Sequence, residues 1–292
     1  MHELELPSYY RLPSAVTAAC GDELVLADGR RVLDLYGGHC VNTLGAGSET
    51  VLRAIDEQWR RVSFATNMFE HEARDRFLDV FGRNLPPGEW RVFLTNSGAE
   101  ANENALKTAL AATKRSHVVA FEGAFHGRTA ACEAVTDTKK RGFPRAPFDV
   151  DFVPLAGEVD PVWDGVRRAI SERTACVILE PIQSLAGVVE ASQQVLEALR
   201  ERCDETGALL LFDEVQTGNG RLGEPWSSQV SEVVPDVFTT AKGAGGGLPI
   251  GITVTSKAVA ARVDPGLFGT TFGGGPSVLA AAEAVARAIA DG

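Results

Sequence analysis

The stretch ALLLFDEVQTGNGR, residues 208–221, sets five apolar residues directly before two carboxylates, Asp213 and Glu214. Six further runs share this character: VFL at 92–94, VVAF at 118–121, DFVPL at 151–155, CVILE at 176–180, VFTTAK at 237–242 and ITVT at 252–255. Runs this short and apolar suit strands covered on both faces of a sheet. Helical patterns at 99–113, 161–172, 192–206 and 276–290 alternate with them. The alternation predicts an α/β fold around a large, mostly parallel sheet.

Upstream the rhythm differs. Residues 22–36, DELVLADGRRVLDLY, read as a β-hairpin about a two-residue Asp28-Gly29 turn, and helical patterns follow at 51–62 and 71–83. The expected boundary separates an N-terminal appendage, 1–48, from a large α/β domain, 49–292. With 292 residues, 45% hydrophobic, the chain has material for an ample core. A net charge of −11 argues against nucleic acid and anionic membrane as partners. No apolar run approaches the roughly 20 residues that span a bilayer. The opening MHELELPSYYRLP lacks the marks of a signal peptide. Five scattered cysteines without a CxxC pair point to buried thiols in the cytoplasm, and five histidines show no metal-ligand spacing, so no metal is expected.

Four stretches carry chemistry. In TNSGAEANENALK, residues 95–107, Ser97 and Glu100 form a capping box at a helix start. Gly98 lets a ligand approach the backbone, and the free N–H groups with the helix dipole would attract a phosphate; a capped helix with nothing bound reads equally well. Asp213, at the end of a buried strand, needs a cation or hydrogen-bond donors, because an unpaired buried carboxylate is costly. A protonated ring nitrogen suits it, and so does an arginine or a following turn. In EGAFHGRTA, residues 122–130, Phe125 suits stacking on a planar ring and Arg128 suits bidentate binding of a carboxylate. A core phenylalanine, a structural His126 and a solvated arginine fit the same letters. Lys242 follows its strand run and precedes the glycines 243 and 245–247. A lysine that binds a carbonyl covalently must sit by its partner and be able to lose its proton. The glycines are expected to leave room for a cofactor and substrate; a strand-end lysine in solvent is the plainer reading.

Taken together, SGAEANENALK, FHGRT, ILEPIQ, FDEVQTGNGR, TTAKG and GTTFGGGP, in this order, resemble the class III pyridoxal-phosphate-dependent aminotransferases. The resemblance implies fold type I: a seven-stranded, mostly parallel sheet, a smaller domain made from both chain ends, and a homodimer with sites at its interface. DLYGGH, FATN, FHGRT and GTTFGG are most similar to the acetylornithine and succinylornithine aminotransferases. That similarity implies pyridoxal 5'-phosphate as cofactor. Gly98 and Ala99 would offer N–H groups to its phosphate, Phe125 would stack on its ring, Asp213 would pair with the ring nitrogen, Gln216 would contact the ring hydroxyl and Lys242 would hold it covalently. Ser97, His126, Glu180, Glu214 and Val215 are implied as further cofactor contacts. Thr271 would reach the phosphate bound in the neighbouring subunit. Arg128 would take a substrate carboxylate with Thr270 nearby.

Three departures accompany the resemblance. GAGSE at 45–49 replaces the family's GHxHP, where a local loop change is expected. SLAGV replaces GEAGV, so Leu185 stands where a gating glutamate is usual. The sequence ends at Gly292, before the segment that carries a second carboxylate-binding arginine in the family. The expected reaction moves the terminal amino group of an N-acylated ornithine to 2-oxoglutarate, in arginine biosynthesis. Two alternatives are another ω-aminotransferase of the class, acting on ornithine or 4-aminobutyrate, and an inactive fragment that binds cofactor.

Overall fold

The computed structural model describes residues 4, 6, 10–137, 148–155 and 159–292, so much of the opening MHELELPSYYRLP lies outside the described residues. Seven strands form one sheet in the order β4(Trp90–Thr95), β12(Gly251–Ser256), β11(Val237–Ala241), β10(Leu209–Asp213), β7(Thr174–Leu179), β5(His117–Phe121), β6(Asp149–Val153). All seven coincide with the apolar runs. Only β12 opposes the rest: it pairs antiparallel with both β11 and β4, while β11, β10, β7, β5 and β6 pair in parallel.

The continuous apolar runs follow from burial on both faces. Val119, Phe121, Val177, Leu179, Leu210 and Phe212 point into one core cluster. Their alternates Val118, Ala120, Cys176, Ile178, Leu209 and Leu211 point into another. Each of the valine, leucine, isoleucine and phenylalanine side chains so removed from water contributes about 1.5–3 kcal/mol. Helix α3(Gly98–Thr113) follows two earlier helices, α1(Glu49–Arg61) and α2(Glu72–Asn84), and packs on the second cluster through Ala105, Leu106 and Ala109. Its small residues let the helix axis sit close to the sheet. Enlarging Ala105 would overpack that contact at a cost of about 1–3 kcal/mol. On the first cluster's side, α4(Pro276–Ala290) packs along α1 and α2 and closes over Val51 through Ala281 and Val285.

The N-terminal hairpin exists but differs from expectation. β2(Glu23–Leu26) and β3(Arg31–Leu33) are joined by a longer loop, in which Leu26 N donates to Arg30 O and Gly29 N to Leu26 O. Asp28 is occupied there with Arg30, accepting from its backbone N and its Nε, which widens the turn beyond two residues. A third strand, β1(Val16–Cys20), joins the pair and is exposed throughout. Three of the five cysteines, Cys132, Cys176 and Cys203, are buried as expected; Cys20 is exposed and Cys40 half-buried. No helix among the described residues is long and apolar enough to cross a membrane.

Candidate functional site

The strand register brings five connections to one edge of the sheet. Phe212 pairs with Leu179, Asp213 with Thr239, and Ala241 with Gly251. The residues that follow these strands therefore converge, as is usual at the carboxyl ends of parallel strands. They enclose a cavity of about 490 Å³. Ser97, Gly98, Ala99, Phe125, His126, Arg128, Glu180, Asp213, Val215, Gln216 and Lys242, all expected from the sequence, line it together.

One wall is the start of α3. Ser97 is extended and its Oγ accepts from Glu100 N at 3.1 Å. Glu100 reaches back one residue further than a simple capping box, to Asn96 N at 2.6 Å. The Gly98 and Ala99 N–H groups, at the first turn of the helix, have no acceptor among the described residues, and both residues line the cavity. Gly98 also has a packing reason to be glycine, since a Cβ there would lie 3.0 Å from both Val215 methyls.

The floor is Asp213, only 4% exposed. Its Oδ2 accepts from Asn102 Nδ2 at 2.7 Å and lies 2.8 Å from His126 Nδ1, while Oδ1 accepts from Val215 N at 3.0 Å. No arginine among the described residues pairs with it. Asn102 also donates to His126 O at 2.8 Å and accepts from Thr239 Oγ1. It ties helix, loop and strand to one carboxylate, and the sequence reading missed it. Its signal was available: Asn102 falls on the buried stripe Ala101, Ala105, Leu106, Ala109, where a polar residue needs partners. His126 Nε2 is buried without a hydrogen-bond partner among the described residues.

Lys242 has a left-handed backbone, φ 43°. Burial lowers its pKa, against the pull of Asp213, Cys40 and Glu180. Burial also pushes Glu180 up to about 7; His126, the Phe125 N–H and Lys242 oppose this, while Asp213 adds to it. Glu180 Oε1 accepts from Phe125 N at 2.8 Å, and the Arg128 guanidinium lies 5.5 Å from the centre of the Phe125 ring. The site therefore offers a buried carboxylate, a lysine eased toward its neutral form, unpaired helix N–H groups and an exposed arginine.

Several expectations change. Glu214 is turned away: it is fully buried, and its oxygens accept from Ser227 N, Ser227 Oγ and Thr217 Oγ1. Its N–H donates to Thr239 O, so no polar atom of Glu214 is left for the cavity. The glycines after Lys242 are close-packed against protein, with Thr43 against Gly243, Ile250 against Gly245 and Val51 against Gly246; only Gly247 of the four lines the cavity. Thr270 lies beside the rim, with Oγ1 accepting from Asn96 Nδ2 at 3.4 Å. Thr271 is exposed and takes no part in the wall.

The family described as aminotransferase class-III matches residues 7–292. Acetylornithine aminotransferase of Streptomyces coelicolor is 44% identical over 278 residues, covering 93% of this chain and 66% of the relative. The [LysW]-aminoadipate semialdehyde/glutamate semialdehyde transaminase of Sulfolobus acidocaldarius is 37% identical over 265 residues, covering 90% of this chain and 67% of the relative. The chain thus spans about two thirds of the length of these relatives. Ornithine aminotransferase from Toxoplasma gondii, described with partial occupancy of PLP at its active site, shares the fold at a TM-score of 0.88 with 24% identity, over 99% of this chain and 69% of that one.

Proposed function

The chain belongs to the class-III aminotransferases, and from that premise we propose that it moves the terminal amino group of an N-acylated ornithine, acetyl or succinyl, to 2-oxoglutarate. The observation that carries the reading is the meeting of Lys242 and Asp213 in one cavity with the free N–H groups of Gly98 and Ala99. That donor set fits pyridoxal 5'-phosphate, the family's cofactor: a carboxylate for a protonated ring nitrogen, N–H groups for a phosphate, and a lysine for an aldehyde.

Bound pyridoxal phosphate supplies an electron sink, so that a proton can leave the carbon bearing the transferred nitrogen. The protein's own part is positional and electrostatic. Asp213, fixed by Asn102 and His126, keeps a proton on the ring nitrogen. Gly98 and Ala99 hold the phosphate with the dipole of α3. Lys242, eased toward its neutral form, would hold the cofactor through its Nζ and, once released, would carry the proton. Phe125 would cover the ring and Gln216 would meet its hydroxyl, with Ser97, His126, Glu180 and Val215 in the same wall. Arg128 would take the donor's carboxylate, with Thr270 at the rim. The likeness to the Streptomyces relative supports the acylornithine choice, and a place in arginine biosynthesis is part of the same proposal.

A homodimer belongs to the same proposal, with Thr271 reaching the phosphate in the second subunit. Met68, Phe69 and Phe272, each more than two thirds exposed, support a protein partner on that side. A cytoplasmic location and the division into 1–48 and 49–292 belong to the same proposal. A second reading, another ω-amine as donor, is favoured by the Sulfolobus relative and by Leu185, 51% exposed between β8(Ile182–Gln183) and β9(Val189–Glu190). Specificity constants for acetylornithine, succinylornithine, ornithine and 4-aminobutyrate decide between them. The first two are expected to lead; ornithine or 4-aminobutyrate in front would overturn the acylornithine assignment. Cofactor binding without turnover on any donor would favour the inactive-fragment reading.

A further inference from the structure

Residues 37–40 form a left-handed turn. Gly37, Gly38, His39 and Cys40 follow one another at φ 57°, 59°, 68° and 61°. The conformation suits the glycines and is disfavoured for residues that carry a Cβ. The turn is nevertheless held firmly. Asp34 Oδ2 accepts from Gly38 N at 2.7 Å, Cys40 N donates to Tyr36 O at 2.9 Å, and Val41 N donates to Gly37 O at 3.0 Å. It lies against the lysine segment: a Cβ on Gly243 would sit 3.5 Å from Cys40 O, and Val41 lines the cavity. Strain of this kind persists where the surroundings enforce it, and it marks a residue whose placement matters.

The placed residue is His39. Its Nε2 lies 3.2 Å from Tyr36 Oη, and the two rings meet edge to face at 4.7 Å and 64°. Its Nδ1 has no partner among the described residues. In the cofactor-free protein, partial burial and then the nearby Lys242 hold the imidazole below its usual pKa, toward its neutral form. A phenol donating to Nε2 leaves the proton on Nδ1, a donor for an acceptor oxygen. Arg128 already supplies the cavity with a cation for a carboxylate.

We propose that Tyr36 and His39, on the lip beside Val41, form a neutral hydrogen-bonding subsite for the amide of the amino donor's acyl group. The inference rests on the acylornithine reading and deepens it by naming what distinguishes the acylated donor from the free one. Its test uses unreactive analogues that carry no free amine, N-acetylnorvaline and its unacylated counterpart pentanoate, titrated calorimetrically into the cofactor-loaded protein. The wild type is expected to favour N-acetylnorvaline. His39→Gly, which suits the backbone, and Tyr36→Phe should each reduce that preference at least tenfold. His39→Asn, which tolerates the left-handed turn and keeps a donor, should restore most of it, and an unchanged cofactor spectrum in each variant reports an intact site. If the variants keep the wild-type preference, the subsite is overturned while the acylornithine reading stands. If the wild type itself shows no preference, the acylornithine reading falls and takes the subsite with it.

Discussion

The sheet carries a histidine against an aspartate at each end. At the carboxyl end, His126 meets Asp213 at 2.8 Å with both side chains buried. At the amino end, His117 meets Asp151 at 3.0 Å, with Asp151 about half exposed. His117 is saturated: Nδ1 lies 3.0 Å from Thr174 Oγ1, and Arg173 shares Asp151 at 3.2 Å. His126 keeps a buried ring nitrogen without a partner among the described residues and borders a cavity. A histidine–aspartate pair by itself thus says little about function. An unsatisfied buried atom beside a cavity says more, because leaving it unpaired costs about 1–3 kcal/mol that a ligand can offset.

The sharpest way to break this contrast is at Lys242, which shares the cavity with the carboxyl-end pair. Lys242→Ala should abolish steady-state transamination, and borohydride should no longer fix the cofactor to the chain. Retained turnover in the purified variant would remove the lysine from its proposed role. Next come the two aspartates, each changed to asparagine. Asp213→Asn should lower kcat by about 10²–10³, since it removes an electrostatic contact made to the reacting group. Asp151→Asn should leave kcat within about twofold. Equal losses at the two ends would erase the distinction.

A smaller effect tests the field around the carboxyl-end pair. Burial raises Glu180 from 4.5 to about 7, so the folded, cofactor-free protein keeps a proton that the unfolded chain has released. Stability should therefore fall as pH rises from about 4.5 to about 7, then level off. Glu180→Gln keeps an acceptor for Phe125 N and removes the titration. Its urea midpoint should exceed that of wild type above pH 7, and the gap should close below pH 5. The smallest effect belongs to the amino end, where Arg173→Ala, which leaves Asp151 to His117, should cost about 1 kcal/mol or less in urea unfolding, because the Arg173–Asp151 pair is largely solvated.

The sheet was legible because its strands are apolar on both faces, which leaves few other places for runs such as CVILE. Ser97, Asp213 and Lys242 were legible because a cap, a strand-end carboxylate and a strand-end lysine each stand out against their surroundings. What escaped was long-range. Asn102 is bound to Asp213 across 111 positions. Gly243 is confined by Thr43, 200 positions earlier, so its absent side chain was credited to a ligand that the protein itself displaces. Glu214 sits beside Asp213 in sequence, and only the folded chain shows that strand alternation turns it toward Ser227.

The placement of β12 bears on how the chain is made. β4 is among the first strands of the sheet to leave the ribosome, yet its sole neighbour in that sheet is β12, roughly 155 residues later. At about 5–20 residues per second, WRVFLT waits about 8–30 s with its backbone donors and acceptors unpaired. During synthesis this segment is an open sheet edge, able to pair with its like on another nascent chain. Yield of soluble protein should therefore depend on translation speed and on holdase chaperones more steeply than the buried core of the finished fold would suggest.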